Sequence, residues 1–423
     1  MESLFCLSIA VIVGLLLSRL AKKLQLPAVT SYLIAGILIG PYVLGQLGIP
    51  GLGFTSMANV KEFSIFCDVA LGFIAFDIGN EFRLSQLKRI GTQATIIAIF
   101  QALMATLLVD GAMLVLHLLM PDVVTVPVAL VLGAIATATA PAATLMVVKQ
   151  YKAKGPLTDI LLPIVALDDA VGLVVFAVSY GIARAFLNGS ISLLSILVEP
   201  LLEVVLSLLL GSVMGYLLTQ MEKFFDSNSK RLSIIIAFVF LTVALSMLKF
   251  EVGGIHIGFS SLLVCMMTGT IFCNICNFSE DMMGRANKWT APLYVLFFVL
   301  SGAELELGVF TDIAIIGIGL TYILFRSAGK ISGAFLSAKM TKCSPTICKY
   351  LGITLLPQAG VALGMSMKVT ESLGAEGQLI RNITLFAVLI YELVGPMLTK
   401  IALMKAGEIS PRPEIIKQPN IKG

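Results

Sequence analysis

The sequence predicts an all-α polytopic membrane protein of about 13 transmembrane helices, arranged as two inverted six-helix repeats with two crossed broken helices. Three observations predict it: an extreme apolar composition, basic residues on alternate loops, and similar segments seven spans apart. Of 423 residues, 58% are hydrophobic and 13% charged, against roughly 45–50% and about 25% in a soluble domain. Such a chain cannot cover itself with a polar surface. Apolar runs of about 18 or more residues, enough for a hydrocarbon core of about 30 Å, recur throughout. The lipid bilayer is therefore the first expected partner. The net charge of +4 is explained by orientation in the membrane, and nucleic acid is not an expected partner.

Apolar runs and the breaks between them place spans near 4–21, 28–47, 62–80, 92–118, 125–148, 158–186, 192–221, 231–249, 258–276, 290–308, 311–337, 348–368 and 378–404. The first run lacks a basic flank and a cleavage site, so it is expected to be a retained span. Loops after odd-numbered spans, with the tail, hold 22 of the 29 Lys and Arg residues; the opposite side holds only Lys61, Arg184, Lys249, Lys368 and Arg381. The positive-inside rule then puts the N-terminus outside and the C-terminus in the cytoplasm. The expected setting is the cell (inner) membrane.

The segment Ser31-Tyr-Leu-Ile-Ala-Gly-Ile-Leu-Ile-Gly40 of span 2 is similar to Ser260-Ser-Leu-Leu-Val-Cys-Met-Met-Thr-Gly269 of span 9, and Phe76-Asp-Ile-Gly-Asn-Glu81 to Val299-Leu-Ser-Gly-Ala-Glu304. An offset of seven spans reverses direction across the membrane, which defines an inverted repeat. The expected units are a first repeat (1–187), a linker helix (188–225), a second repeat (226–406) and a short tail (407–423). The repeat predicts matching interruptions in spans 5 and 12. Thr137-Ala-Thr-Ala-Pro141 and Leu355-Leu-Pro-Gln-Ala-Gly360 supply them. A proline inside a span removes a backbone donor, and the freed groups need protein, water or an ion as partners. Thr137, Thr139, Pro141, Pro357 and Gln358 are accordingly candidate site residues.

Asp168 and Asp169 stand in the middle of span 6, where each charge costs about 2.5–3.5 kcal/mol on insertion scales. Successive helical residues point about 100° apart, so one carboxylate can be paired while the other binds a cation. In a poorly solvated cavity H⁺ and a metal cation compete for the same oxygens, and that competition is the chemistry of exchange. Span 11 offers Arg326 and Lys330, four apart on one helix face, and either is able to neutralise Asp168; Lys330 has the alternative of reaching the cytoplasmic surface. Asp68, Asp77, Asp110 and Glu392 are weaker candidates, His117 and His256 belong near outer loops, and Cys273 and Cys276 are expected to pack rather than bind metal. No resident cofactor is expected. No phosphate loop of the Gly-x-x-x-x-Gly-Lys-[Ser/Thr] kind is present, and the adjacent aspartates lack the Gly-x-Gly-Asp pattern of an intramembrane protease, so no enzymatic activity is expected.

Several motifs in order carry a resemblance: Leu26-Pro-Ala-Val-Thr-Ser-Tyr-Leu-Ile-Ala-Gly-Ile-Leu-Ile-Gly-Pro41, Leu167-Asp-Asp-Ala-Val-Gly172, Arg326-Ser-Ala-Gly-Lys330, Leu356-Pro-Gln-Ala-Gly-Val-Ala-Leu-Gly364 and Tyr391-Glu-Leu-Val-Gly-Pro396. The chain resembles the monovalent cation/proton antiporter superfamily over nearly its whole length. The resemblance implies secondary antiport of Na⁺, or of K⁺ or Li⁺, against H⁺. It also implies that Asp169 binds the cation or proton while Asp168 faces a basic residue of the later helix. It further implies a homodimer, with spans 1–3 and 8–10 as scaffold and spans 4–6 and 11–13 as an elevator-like core. Members with an aspartate pair carry a lysine where Arg326 aligns, a lysine linked to electrogenic exchange; arginine there looks more like electroneutral members. Arg326→Lys is therefore expected to keep exchange with an altered charge balance. No appended nucleotide-binding regulatory domain is expected. A sodium-coupled organic anion symporter of similar fold is the alternative, disfavoured because the anion would meet two carboxylates.

Overall fold

The computed structural model describes residues 2–24, 26–49, 52–80, 84–188, 199–248, 250–252, 255–305 and 312–409. Helices α1 (Glu2–Lys23), α2 (Ala28–Ile39), α3 (Met57–Lys61), α4 (Ser64–Asn80) and α5 (Leu84–Leu119) occupy the first four expected spans and one outer loop. The fifth span is two half-helices, α6 (Val126–Ile135) and α7 (Pro141–Gln150), followed by α8 (Pro156–Asn188), α9 (Glu199–Glu222) and α10 (Asn228–Ser246). A hairpin of β1 (Phe250–Val252) and β2 (Ile255–Ile257) departs from the all-helical expectation in the loop before α11 (Ser261–Ile275). Then come α12 (Ser279–Ala303), α13 (Ile313–Met340), α14 (Pro345–Thr354) and α15 (Gly360–Lys405). Residues 192–198, 306–308 and 410–423 of the expected spans and tail lie outside the described residues.

Among the described residues, eight helices are by themselves long and apolar enough to cross a membrane. The remaining expected spans fall short for physical reasons. Helices α4 and α11 have 17 and 15 residues, and α6, α7 and α14 are halves of 10 residues each. Helix α12 starts at Ser279 rather than near 290, with Glu280, Asp281 and Arg285 in its first turns. Helix α15 joins half of span 12 to span 13 across a kink at Gly374, whose φ of 57° is open to glycine.

Two groups of helices pack more closely within themselves than with each other: α1, α2, α4 and α9–α12, and α5–α8 with α13–α15. In the first, α2 lies along α12 and α4 along α11; exchanging the two halves of the chain converts one contact into the other. Glycine permits both crossings. A Cβ on Gly36 would run into the backbone of Val299 and Ala303, and one on Gly269 into the backbone of Phe76, the close approach by which helices pack where no water drives them together. In the second group α5 lies along α13 and α6 along α8. Side chains facing out of the molecule are apolar, Leu16, Ile65, Leu107 and Leu324 each being more than 60% exposed. A hydrocarbon solvent covers such a surface; water does not.

Candidate functional site

Both interruptions lie where the repeat predicts. Helix α6 ends at Ile135 and α7 begins at Pro141; α14 ends at Thr354 and α15 begins at Gly360. Pro141 stands at the first helical position, where a missing N–H leaves no bond unmade. The extended stretches cross. The Ala140 N–H donates to the Pro357 carbonyl at 2.8 Å, and Gln358 donates through Nε2 to the Ile135 carbonyl and to the Tyr322 hydroxyl, each at 2.9 Å.

Two half-helices thus present their C-terminal ends, with unpaired carbonyls and negative partial charge, near one point. The two basic residues of α13 meet them, both fully buried. Arg326 donates to the carbonyls of Ala136 at 3.1 Å, Ala138 at 2.6 Å and Leu356 at 2.8 Å, and its guanidinium lies 4.5 Å from the Tyr391 ring centroid. The planar fork reaches both interruptions at once, which a point charge cannot do. Lys330 donates to the Thr137 carbonyl at 2.5 Å and to Thr139 Oγ1 at 2.9 Å, and pairs with Asp168 Oδ2 at 2.8 Å.

Lys330, not Arg326, is therefore the charge partner of Asp168. Lys330 does not reach towards the cytoplasmic surface: three oxygens at the site take the three donors of its ammonium. Thr139 Oγ1 donates to Asp168 Oδ2 at 2.5 Å, and Gln101 Nε2 donates to Asp168 Oδ1. Gln101 is a site residue the sequence reading missed. The available signal was a polar amide in the middle of span 4, at the same depth as the aspartates.

Asp169 is different. It is 5% exposed, and its Oδ1 is buried with no hydrogen-bond partner among the described residues. A buried carboxylate oxygen without a donor is unstable as it stands, and a proton or a cation supplies what is missing. Thr137 donates its hydroxyl to the Ala134 carbonyl at 2.7 Å, and that hydroxyl lies against Gly172 of α8, where a Cβ would stand 2.9 Å from it. Of the weaker candidates, Asp77 is ion-paired with Lys149 of α7, whose ammonium also donates to Asn287 of α12 at 2.9 Å. Asp110 and Glu392 each keep one buried oxygen without a hydrogen-bond partner among the described residues. His117 Nδ1 lies 2.7 Å from the Val124 carbonyl, closing the loop after α5.

Interrupted helices crossing beside buried carboxylates in a polytopic membrane protein define a class, the secondary transporter. Comparison narrows it. The chain matches the family described as sodium/hydrogen exchanger, transmembrane, over residues 7–405, and it belongs to that family. It is 24% identical over 408 residues to the Na(+)/H(+) antiporter NhaS4 of Synechocystis, covering 93% of this chain and 96% of that one. It is 25% identical over 335 residues to the Na(+)/H(+) antiporter NhaG of Bacillus atrophaeus, covering 76% of this chain and 60% of that one. Its fold is similar to that of the sodium proton antiporter MjNhaP1 of Methanocaldococcus jannaschii, with TM-scores of 0.67 and 0.71 in two structures. Sequence identity to these is 21% and 18%; the first comparison covers 96% of this chain and 97% of that one, the second 95% and 94%.

Proposed function

We propose that the chain is a secondary active antiporter exchanging a monovalent cation, Na⁺ before K⁺ or Li⁺, for protons by competition at Asp169. One observation carries the reading: of two adjacent buried carboxylates, Asp168 is fully engaged by Lys330, Thr139 and Gln101, while Asp169 retains an oxygen with no hydrogen-bond partner among the described residues. Arg326 alone left the stoichiometry open; the pairing of Lys330 with Asp168 supports electrogenic exchange. The test is proton movement in everted vesicles or liposomes with an internal pH dye, after additions of Na⁺, K⁺ and Li⁺ in turn, with current read on a supported membrane. No response to any of the three sinks the reading.

The protein works as an integral membrane protein with its N-terminus outside and C-terminus in the cytoplasm, as a homodimer, with α5–α8 and α13–α15 sliding as a core against the other group. The seam between the groups supports this. At its cytoplasmic end polar bonds join α7 to the scaffold: Lys149 to Asp77 and Asn287, and the Ala28 N–H to Gln150 Oε1 at 2.8 Å. A cavity of about 380 Å³, lined by Tyr32, Met146, Lys149, Asn287 and Tyr294 among others, lies on the same seam. Cysteines introduced as Lys149→Cys and Asn287→Cys, joined by a short cleavable thiol reagent, should stop exchange, and cleavage should restore it. Unaltered exchange in the joined protein would exclude sliding at this seam.

A further inference from the structure

Helix α8, which carries Asp168 and Asp169, has no cap of its own. It begins at Pro156, which has no N–H, after Gly155, which has no side chain. The remaining donors of the first turn are met from the far end of the chain. Glu408 Oε1 accepts from the Leu157 N–H at 2.6 Å, and Oε2 accepts from the Thr158 N–H at 2.8 Å and the Thr158 hydroxyl at 2.6 Å. A carboxylate in this place also opposes the positive end of the helix dipole.

The backbone is built to bring it there. Gly407, at φ 78°, turns the chain back after α15, with the Glu408 N–H donating to the Leu403 carbonyl at 3.0 Å. The Glu408 carbonyl accepts from the Lys154 N–H at 3.3 Å, and Ile409 is buried beneath the turn. Gly155, at φ 155°, leaves the space: a Cβ there would stand 2.5 Å from the Glu408 carboxyl carbon. Five features, from two glycines to three donors, converge on one side chain.

Pro163 lies between this cap and the aspartates. It removes the bond its N–H would make to the Asp159 carbonyl, so the first turns of α8 are tied to the rest of the helix less firmly than usual. Their position then depends on Glu408. Asp168 is eleven residues beyond Leu157, roughly 17 Å along the axis, and its bonds are made to Thr139 in the first interruption and to Lys330 of α13. Any axial shift or rotation of α8 therefore changes those distances, and with them the balance of charge around Asp169.

We propose that Glu408 is a positioning residue for the exchange site: it fastens the first turn of α8 to the end of α15 and thereby fixes the depth at which Asp168 and Asp169 meet the crossing. The proposal rests on the antiport reading above for its functional readout, and on amide exchange for a structural one. In proteoliposomes, Glu408→Ala should raise the half-saturating Na⁺ concentration roughly three- to tenfold and displace the pH profile, with a smaller change in maximal rate per folded transporter. Glu408→Gln, which keeps an acceptor oxygen, should recover most of the wild-type value, and Thr158→Val, which removes one of three donors, should shift it in the same direction by less. The latter two variants carry the test where the alanine variant does not fold. By hydrogen exchange, peptides covering 157–170 should lose protection in Glu408→Ala or, failing that, in Thr158→Val. Unchanged half-saturation and pH profile across the variants, or unchanged protection in 157–170, overturns the proposal. Absence of cation-driven proton movement in the wild-type protein instead overturns the antiport reading and leaves the protection measurement to decide the cap.

Discussion

Asp169→Asn is expected to reduce cation-induced proton movement to the level of empty liposomes while the protein folds as before. Asparagine keeps the shape of the side chain and loses the ability to take up a proton or neutralise a cation. Folding is spared because Asp169 Oδ1 has no hydrogen-bond partner among the described residues, so the substitution breaks no bond at that atom. The neighbouring residue sets the contrast. Asp168→Asn strands the Lys330 ammonium, which is fully buried and 2.8 Å from its present partner, and breaking a buried pair on one side costs about 3–5 kcal/mol. Thermal unfolding in detergent and the dye assay together separate the two: Asp169→Asn stays folded and inactive, whereas Asp168→Asn loses stability first. Wild-type exchange by Asp169→Asn would refute the assignment.

Much of this was legible in the sequence because the bilayer makes its demands local. A span must be apolar, a loop on the cytoplasmic side must be basic, and a charge or a proline within a span must have a reason, so Asp168, Asp169, Pro141 and Pro357 stood out against a plain background. What did not stand out depends on rotation about helix axes. Arg326 and Lys330 are one turn apart on the same face, and only the placement of α13 against α5 and α14 decides that the longer fork reaches the carbonyls and the ammonium reaches Asp168. Gln101 sits in a span whose neighbours in the chain are all apolar, and nothing local says that it faces the aspartates. The cap supplied by Glu408 is less legible still, since its donors lie 250 residues away in sequence. The hairpin before α11 was passed over because its strands are three residues each.

Arg326 changes its meaning most between sequence and structure, and its substitution is the second large effect. With the arginine aligned to the lysine of aspartate-pair relatives, Arg326→Lys was the mild substitution that would keep exchange and alter its charge balance. In the folded protein the guanidinium instead holds three carbonyls from two different interruptions and lies against Tyr391. A lysine ammonium at this place cannot present parallel donors to Ala136, Ala138 and Leu356, and each buried carbonyl left without a donor costs about 1–3 kcal/mol. Arg326→Lys should therefore destabilise the protein by roughly 2–4 kcal/mol, read as a lowered unfolding midpoint in detergent, and Arg326→Ala by more. Exchange should fall with it, because the crossing of the two extended stretches is what sets Thr139 and Lys330 against Asp168. The charge balance of whatever exchange survives should be unchanged, since the ion pair that bears on it belongs to Lys330. A stable Arg326→Lys protein with altered current per proton would return the arginine to the role first read from the sequence.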